Sequence, residues 1–390
     1  MTDDLPRRAA ATAGPVRIVG TGLLGASLGL ALRSLGVEVR LADTSPVSLA
    51  LARDLGAGDI AAGSSAVGGG PPTDEPGSRE PATPAIVVVA TPPDVAAEVV
   101  LRELAHHPGA VVTDVASVKD VVARDILLGA GEAAPRYVGS HPMAGRERSG
   151  ATGADADLFA GRPWVVVPTE RSSADAVRTV RALAQDVGSF AVDMAAAEHD
   201  RAVAVVSHLP QVLSSLLAAR LNHADEAALG LAGQGLRDTT RIAAADPRLW
   251  SAILTGNAAA LAAELRSVRD SLDEVLGALD LGVADPLAAG AVRPLADAIR
   301  GGNEGAARIP GKHGGAPRRY AEVTVLVPDA PGQLGRLFSE VGDAGVSIED
   351  LGIEHSAGQR VGLVRLSVVP SAAADLEIEL DRRGWRVVAS

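Results

Sequence analysis

Val16-Arg17-Ile18-Val19-Gly20-Thr21-Gly22-Leu23-Leu24-Gly25-Ala26-Ser27-Leu28-Gly29-Leu30-Ala31-Leu32 is the stretch whose reading decides the fold. A short apolar strand runs into G-x-G-x-x-G, and an apolar pattern of helical period follows. In that order the first glycine permits a tight turn. The second lets a pyrophosphate approach the backbone, and the third lets helix pack on strand. The helix N-terminus then offers free N–H groups to phosphate oxygens. Gly20, Gly22, Leu23, Leu24 and Gly25 are therefore the candidate cofactor contacts. A second strand over 37–42 ends at Asp43, about 20 residues further on, where a carboxylate accepts from a ribose 2′-hydroxyl and repels a 2′-phosphate. NAD rather than NADP is the expected cofactor. A glycine turn in an unrelated α/β domain is the competing reading, less economical beside both strands, the helix and Asp43.

Working outward, residues 1–14 read as a mobile tail, and the Gly- and Pro-rich stretch 61–84 as a disordered insertion. Ile86-Val87-Val88-Val89-Ala90 is a buried parallel strand ending at Thr91-Pro92-Pro93, so Thr91 is a cofactor contact or a strand terminator. The next strand, 110–114, leads through Val115-Ala116-Ser117-Val118-Lys119 into a helix over 120–128. Ser117 either caps that helix or faces a ligand from the strand's carboxyl end. Residues 139–150, Gly-Ser-His-Pro-Met-Ala-Gly-Arg-Glu-Arg-Ser-Gly, read as a turn-rich loop. Pro142 biases His141 toward extended backbone, so His141 is a general base on a stiffened loop or an incidental surface histidine. A strand at 164–167, a helix around 174–186 and a strand at 189–193 complete one doubly wound sheet over about 15–193.

Helical periodicity then takes over, through 196–223, 225–244, 247–277 and 284–300, which predicts an all-helical domain over 194–300. Glu198-His199-Asp200 opens the first helix, and Pro210 is expected to kink it beside His208 and Gln211. His199 and His208 are hydrogen-bonded helical histidines or site residues, and Trp250 is a core anchor or a site residue. The spacing of the two histidines is not a metal pattern, so no metal is expected. Residues 301–318 read as a linker. Residues 319–390 read as βαββαβ, a small ferredoxin-like module.

Composition bounds the rest. A chain of 390 residues needs two or three domains, and 47% apolar residues suffice for packed cores. Aromatics are only 2%, so Ala, Val and Leu must fill those cores. A net charge of −12 argues against a general nucleic-acid binder. The absence of cysteine excludes disulfides, thiolate zinc sites and a Cys nucleophile. The first residues lack a secretory h-region, and no charge-free run of about 18 apolar residues is evident, so no membrane span is expected. The cytoplasm is the expected compartment.

Taken together, the motifs resemble those of the prephenate/arogenate dehydrogenase family of tyrosine biosynthesis. The matching stretches are 20–27, Asp114-Val115-Ala116-Ser117-Val118-Lys119, Ser140-His141-Pro142-Met143-Ala144-Gly145, His199-Asp200 with Ser207-His208-Leu209-Pro210, and Arg237-Asp238-Thr239-Thr240-Arg241 through Asp246-Pro247-Arg248-Leu249-Trp250. Asp329-Ala330-Pro331-Gly332-Gln333-Leu334 with Gly345-Val346-Ser347-Ile348 is similar to an ACT domain, a small-molecule regulatory module.

The resemblance implies a Rossmann-type NAD domain, a helical dimerisation domain and an ACT-like domain, assembled as a homodimer. It implies that His141 bonds the substrate's ring hydroxyl, that Ser117 supports it, and that Arg241 binds a carboxylate. His199, His208, Gln211 and Trp250 would shape the substrate pocket. Some members carry histidine where Gln211 stands, so the preferred substrate side chain, prephenate or arogenate, stays open. Asp329, Gly332 and Ile348 would meet an amino-acid effector, most simply tyrosine. A neutral His141 is needed as acceptor, so the expected rate falls below roughly pH 6.5. The rivals are homoserine dehydrogenase, whose middle domain mixes strands with helices, and a non-catalytic sensor of NAD and amino acids, which has no use for Ser117, His141 and Arg241 together.

Overall fold

The computed structural model describes residues 10–61, 83–145, 150–285, 289–310, 320–355 and 361–388. Two compact units divide the chain: 1–219 with 242–266, and 220–241 with 267–390.

The first unit opens with β1 (Val16–Val19), α1 (Leu23–Ser34), β2 (Val39–Ala42), α2 (Pro46–Asp54) and β3 (Asp59–Ile60). β4 (Ile86–Val89), α3 (Pro93–His106), β5 (Val111–Asp114) and α4 (Asp120–Gly129) follow. The five strands form a parallel sheet in the order β3-β2-β1-β4-β5. The order reverses at β1, and such a switch point opens a crevice at the strands' carboxyl ends. Side chains alternate along each strand. Val16, Ile18, Ile86 and Val88 therefore pack with α1 and α2, while Val19, Val87 and Val89 pack with α3 and α4. Helices cover both faces, which is why β4 is apolar at every position.

Three further strands, β6 (Gly139–Pro142), β7 (Pro163–Val167) and β8 (Phe190–Asp193), flank α5 (Ala174–Asp186). They form their own sheet, with β6 antiparallel to β7. One parallel bridge, Val112 to Tyr137, joins it to the edge at β5. The single sheet expected over 15–193 is thus two sheets and a bridge. His141 is correspondingly not on a loop: it lies in β6, opposite Val165. Pro142 is tolerated there because β6 is an edge strand, where a missing N–H need not cost a ladder bond.

The expected tail is also anchored over part of its length. The amides of Ala11 and Thr12 donate to the Asp186 carboxylate at 3.2 and 2.6 Å, and the Thr12 hydroxyl donates at 2.6 Å. Of the insertion read over 61–84, residues 62–82 lie outside the described residues.

α6 (Ala196–Val203), a π-helical turn (Ala204–His208) and α7 (Leu209–Arg220) form one helical run. Pro210 has no N–H to give, and the wide turn directly before it accommodates the missing bond. Contrary to the sequence expectation, the run Ala196–His223 is long enough to cross a membrane and contains an 18-residue stretch of mean hydropathy 1.6, by length and composition only. Its His199, Asp200, His208, Gln211 and Ser214 are buried, while Val206, Leu213 and Leu216 are exposed. α8 (Glu226–Gly230) and α9 (Gln234–Thr240) belong to the second unit, and α10 (Pro247–Gly256) to the first. Asp246 caps α10 by accepting from the amides of Arg248 and Leu249 at 2.8 and 3.1 Å, and Pro247 takes the first helical position, where its missing N–H costs nothing. α11 (Ala258–Ala284) has residues in both units.

In the second unit α12 (Ala289–Ala306) occupies residues 301–306 of the expected linker, and 311–319 lie outside the described residues. β9 (Ala321–Pro328), α13 (Gln333–Asp343), β10 (Asp350–His355), β11 (Val361–Val368), α14 (Pro370–Arg382) and β12 (Arg386–Val388) follow. The strands pair antiparallel in the order β10-β11-β9-β12, the ferredoxin-like arrangement. Val323, Val325 and Val327 meet Leu337, Val341, Leu376 and Leu380 in its core. Trp385 Nε1 donates to Glu340 Oε2 at 2.7 Å, and the Arg336 guanidinium lies over the indole at 4.6 Å, joining α13 to the last strand. Of the expected effector contacts, Ile348 packs against this core, while Asp329 and Gly332 are exposed on the turn after β9. Gly332 has φ +84°, a conformation that requires glycine.

Candidate active site

A cavity of about 1290 Å³ opens at the carboxyl ends of β1, β4 and β5. Its walls come from the first unit.

At one end lies the glycine turn. Gly20 has φ +102°, and a Cβ there would sit 2.4 Å from the Ala90 carbonyl oxygen. A Cβ on Gly25 would sit 1.9 Å from the Gly20 carbonyl oxygen, whereas one on Gly22 would meet nothing within 4 Å. The outer glycines thus serve backbone geometry and packing, and Gly22 leaves open the space a phosphate needs. No side chain caps α1, and Gly22, Leu23 and Leu24 line the cavity, so the helix N-terminus is available to an anion. Thr21 donates to Asp43 Oδ2 through its amide at 2.6 Å and its hydroxyl at 2.8 Å, and the Ser45 amide donates to Oδ1 at 2.7 Å. Asp43 is thereby aimed at the cavity it lines. Thr91 lines it too, with its buried hydroxyl unpartnered, a group a bound cofactor can satisfy. These residues fit NAD. Asp43→Asn should narrow the preference for NAD⁺ over NADP⁺ by roughly tenfold or more, because it removes like-charge repulsion of a 2′-phosphate. Initial rates with each nucleotide measure it, and an unchanged ratio would take selectivity away from Asp43.

At the other end His141, half-buried Ser117, His208 and Trp250 line the cavity. His141 Nδ1 lies 2.9 Å from His199 Nε2, and His199 Nδ1 lies 2.8 Å from Asp200 Oδ1. Asp200 also accepts from the amides of Lys119 and Asp120 at 2.8 and 2.9 Å. It therefore caps α4 from 81 residues away, the task sequence reasoning offered to Ser117. Burial opposes its charge. The bonds from His199 and the two amides outweigh that and hold the Asp200 carboxyl below the usual carboxylate range. Burial, reinforced by His199, Lys119 and His208, pushes the His141 imidazole well below its ordinary value.

Beneath this end lies a buried polar cluster that sequence reasoning missed. Lys119 Nζ pairs with Asp114 Oδ1, Tyr137 donates to Asp114 Oδ2 at 2.8 Å, and the Ala116 amide donates to Oδ1 at 3.0 Å. All three charged or phenolic side chains are fully buried. Burial pushes the Lys119 ammonium down, against the opposing pull of Asp114, and pushes the Tyr137 phenol well up. The available signal was the Asp and Lys flanking an apolar strand end, where each buried charge needs the other.

Asn257, also missed, donates through Nδ2 to the Asp200 carbonyl at 2.7 Å and lies 3.1 Å from His208 Nδ1. Burial holds His208 at about 4, so the ring is neutral at pH 7, accepts from Asn257 and carries its hydrogen on Nε2. Its ring meets Trp250 edge-on, 6.1 Å between centroids. Among the described residues no group of three or more His, Asp or Glu could hold a metal ion.

Residues 28–192 match the nucleotide-binding domain of prephenate dehydrogenase, and residues 195–290 match its dimerization domain. The chain belongs to the prephenate dehydrogenase family. It is 37% identical over 374 residues to a probable prephenate dehydrogenase of Streptomyces niveus, covering 94% of this chain and 98% of that one. Prephenate dehydrogenase of Bacillus subtilis is 27% identical over 362 residues, covering 90% and 91%. Among solved structures, prephenate dehydrogenase of Aquifex aeolicus with hydroxyphenyl propionate and NAD⁺ has a TM-score of 0.61 at 25% identity, covering 75% of this chain and 99% of that one. Synechocystis arogenate dehydrogenase has a TM-score of 0.56 at 27% identity, covering 75% and 99%.

As a member of the prephenate dehydrogenase family the chain is an NAD-dependent oxidoreductase. Its predicted site residues fall into four groups. Ser117, His141, His208 and Trp250 share one cavity with Gly20, Gly22, Leu23, Leu24, Asp43 and Thr91, while Gly25 lies inside the turn against the Gly20 carbonyl. His199 lies behind His141, fully buried, rather than on the cavity wall. Gln211, expected to meet the substrate side chain, is turned away: its Nε2 donates to the Ile242 carbonyl at 2.9 Å and the Ser215 hydroxyl at 3.2 Å, and it does not line the cavity. Arg241 is an exposed residue of the second unit, opening the short turn Arg241–Ala243.

Proposed function

We propose that the chain oxidises prephenate to 4-hydroxyphenylpyruvate, with loss of CO₂, in tyrosine biosynthesis. The observation that carries this reading is His141, buried at the wall of the cofactor cavity with Nδ1 engaged by His199 and Nε2 left for a ligand. Prephenate is a cyclohexadiene with a 4-hydroxyl and two carboxylates. Gly22, Leu23, Leu24 and Asp43 would hold NAD⁺, which would supply the acceptor for the hydride of ring C4. His141 Nε2 accepts the hydroxyl proton as C4–O becomes a carbonyl. Loss of the ring carboxylate as CO₂ then sends its electron pair through the ring to that oxygen, and His141 returns the proton to the phenolate. The balance needs no metal and no covalent nucleophile. Ser117 lines the same cavity as His141, which supports a role in orienting the hydroxyl. Arg241 is retained as the carboxylate anchor on the family resemblance, where a bidentate guanidinium suits the task. The exposed apolar side of α7, with the dimerization-domain match, supports a homodimer; the cytoplasm is its proposed compartment. The ferredoxin-like module is proposed as an ACT-type site at Asp329, Gly332 and Ile348 with tyrosine as effector.

One assay tests this: NADH formation from prephenate and from arogenate, each with and without tyrosine. The expected result is a kcat/KM for prephenate at least about tenfold above that for arogenate, a difference of roughly 1.4 kcal/mol, with inhibition by tyrosine. A preference for arogenate would overturn the substrate. Indifference to tyrosine would overturn the effector.

A further inference from the structure

His141 must meet the hydroxyl with a bare nitrogen, yet a neutral imidazole can carry its hydrogen on either one. The groups behind it decide. Asp200 is an ionised carboxylate already receiving two backbone amides of α4, and a carboxylate has no hydrogen to donate. His199 therefore presents Nδ1–H to Asp200 across 2.8 Å and a bare Nε2 to His141. His141 Nδ1, 2.9 Å from that Nε2, must then carry the hydrogen.

We propose that His199 and Asp200 are positioning residues that lock His141 in its Nδ1–H tautomer, leaving Nε2 bare for the substrate hydroxyl. This rests on the reading of His141 as the proton acceptor. Neither residue reaches the cavity: His199 is 0% and Asp200 5% exposed. A packing histidine and a helix cap would account for the burial, but not for an unbroken line of ring nitrogens ending at the cavity wall. The other charges nearby leave the line intact, since Lys119 is paired with Asp114 and His208 is neutral. When the hydroxyl proton reaches Nε2, the imidazolium stays hydrogen-bonded through His199 toward the Asp200 carboxylate. No second proton need move. Because Asp200 also holds the first amides of α4, the same carboxylate fixes the end of the segment that carries Ser117.

The test uses the full chain with NAD⁺ and prephenate. His199→Leu removes the acceptor and should lower kcat roughly a hundredfold, with KM for prephenate and Kd for NAD⁺ unchanged. His199→Gln restores an acceptor through Oε1 and should recover at least about tenfold of that loss, a distinction a packing role would not make. Nitrogen-15 NMR of labelled histidines should place the His141 hydrogen on Nδ1, and move it to Nε2 in Asp200→Asn, whose amide donates where the carboxylate accepted. An Nε2–H tautomer in the parent protein, or equal activity of the Leu and Gln variants, would overturn the proposal. The tautomer is read without substrate. Failure to oxidise prephenate would therefore sink the functional reading while the NMR still decides the lock.

Discussion

His141→Asn should lower kcat at neutral pH by roughly 10²–10⁴-fold, the usual contribution of a positioned acid–base group, with NAD⁺ affinity unchanged. Asparagine fills similar space but offers no nitrogen that can take a proton. Gly22, Leu23, Leu24 and Asp43, the proposed nucleotide contacts, line the other end of the cavity and should not notice. The pH profile sharpens the expectation. Burial, then His199, Lys119 and His208, keep the His141 imidazole well below 6.5, so the neutral acceptor persists to lower pH than a free histidine would allow. The fall in rate expected from the sequence below roughly pH 6.5 should therefore appear only at more acid pH. Plots of kcat/KM against pH report the free enzyme and would show it; an acid limb centred near 6.5 would contradict it. Stability follows the same sign. His141 and His208, the latter at about 4, both have depressed folded values, so the unfolded chain takes up protons first as pH falls below roughly 6.5, and acid destabilises the fold.

Asp114→Asn should destabilise the protein by about 3–5 kcal/mol, because it leaves the Lys119 ammonium buried without its counter-charge. For a unit of about 150–250 residues that is a drop in Tm of roughly 6–20 °C. Tyr137 would also lose the acceptor it now reaches at 2.8 Å. Adding Lys119→Met removes the stranded charge and should recover most of the loss, since a buried pair replaced as a pair is often neutral. Calorimetry on the single and double variants decides the point. A single variant melting with the parent would mean that the pair contributes nothing.

The pattern of error between sequence and structure is physical. The tight turn at Gly20 and the close packing at Gly25 are as the sequence suggests, because such backbone geometry is set by neighbours within a few residues. The helical break beside Pro210 was equally local. Pro142 and the surrounding glycines suggested a loop at His141, yet the segment is a strand, because its partner Val165 and the rest of β7 lie in a later part of the chain. The family resemblance put Gln211 at the substrate side chain, whereas its amide donates to the Ile242 carbonyl.

The sequence by itself determined the nucleotide end of the cavity, the alternation of strands and helices, and the family, since those rest on short-range geometry and on motifs in a fixed order. Only the tertiary structure decided what stands behind His141. Asp200 caps a helix 81 residues earlier, and Asn257 reaches back to both Asp200 and His208. Such pairings depend on which buried donors and acceptors are brought within 3 Å or so of one another after packing, where none can be left unmatched without cost. That requirement made His199 a support for His141 instead of a wall of the cavity.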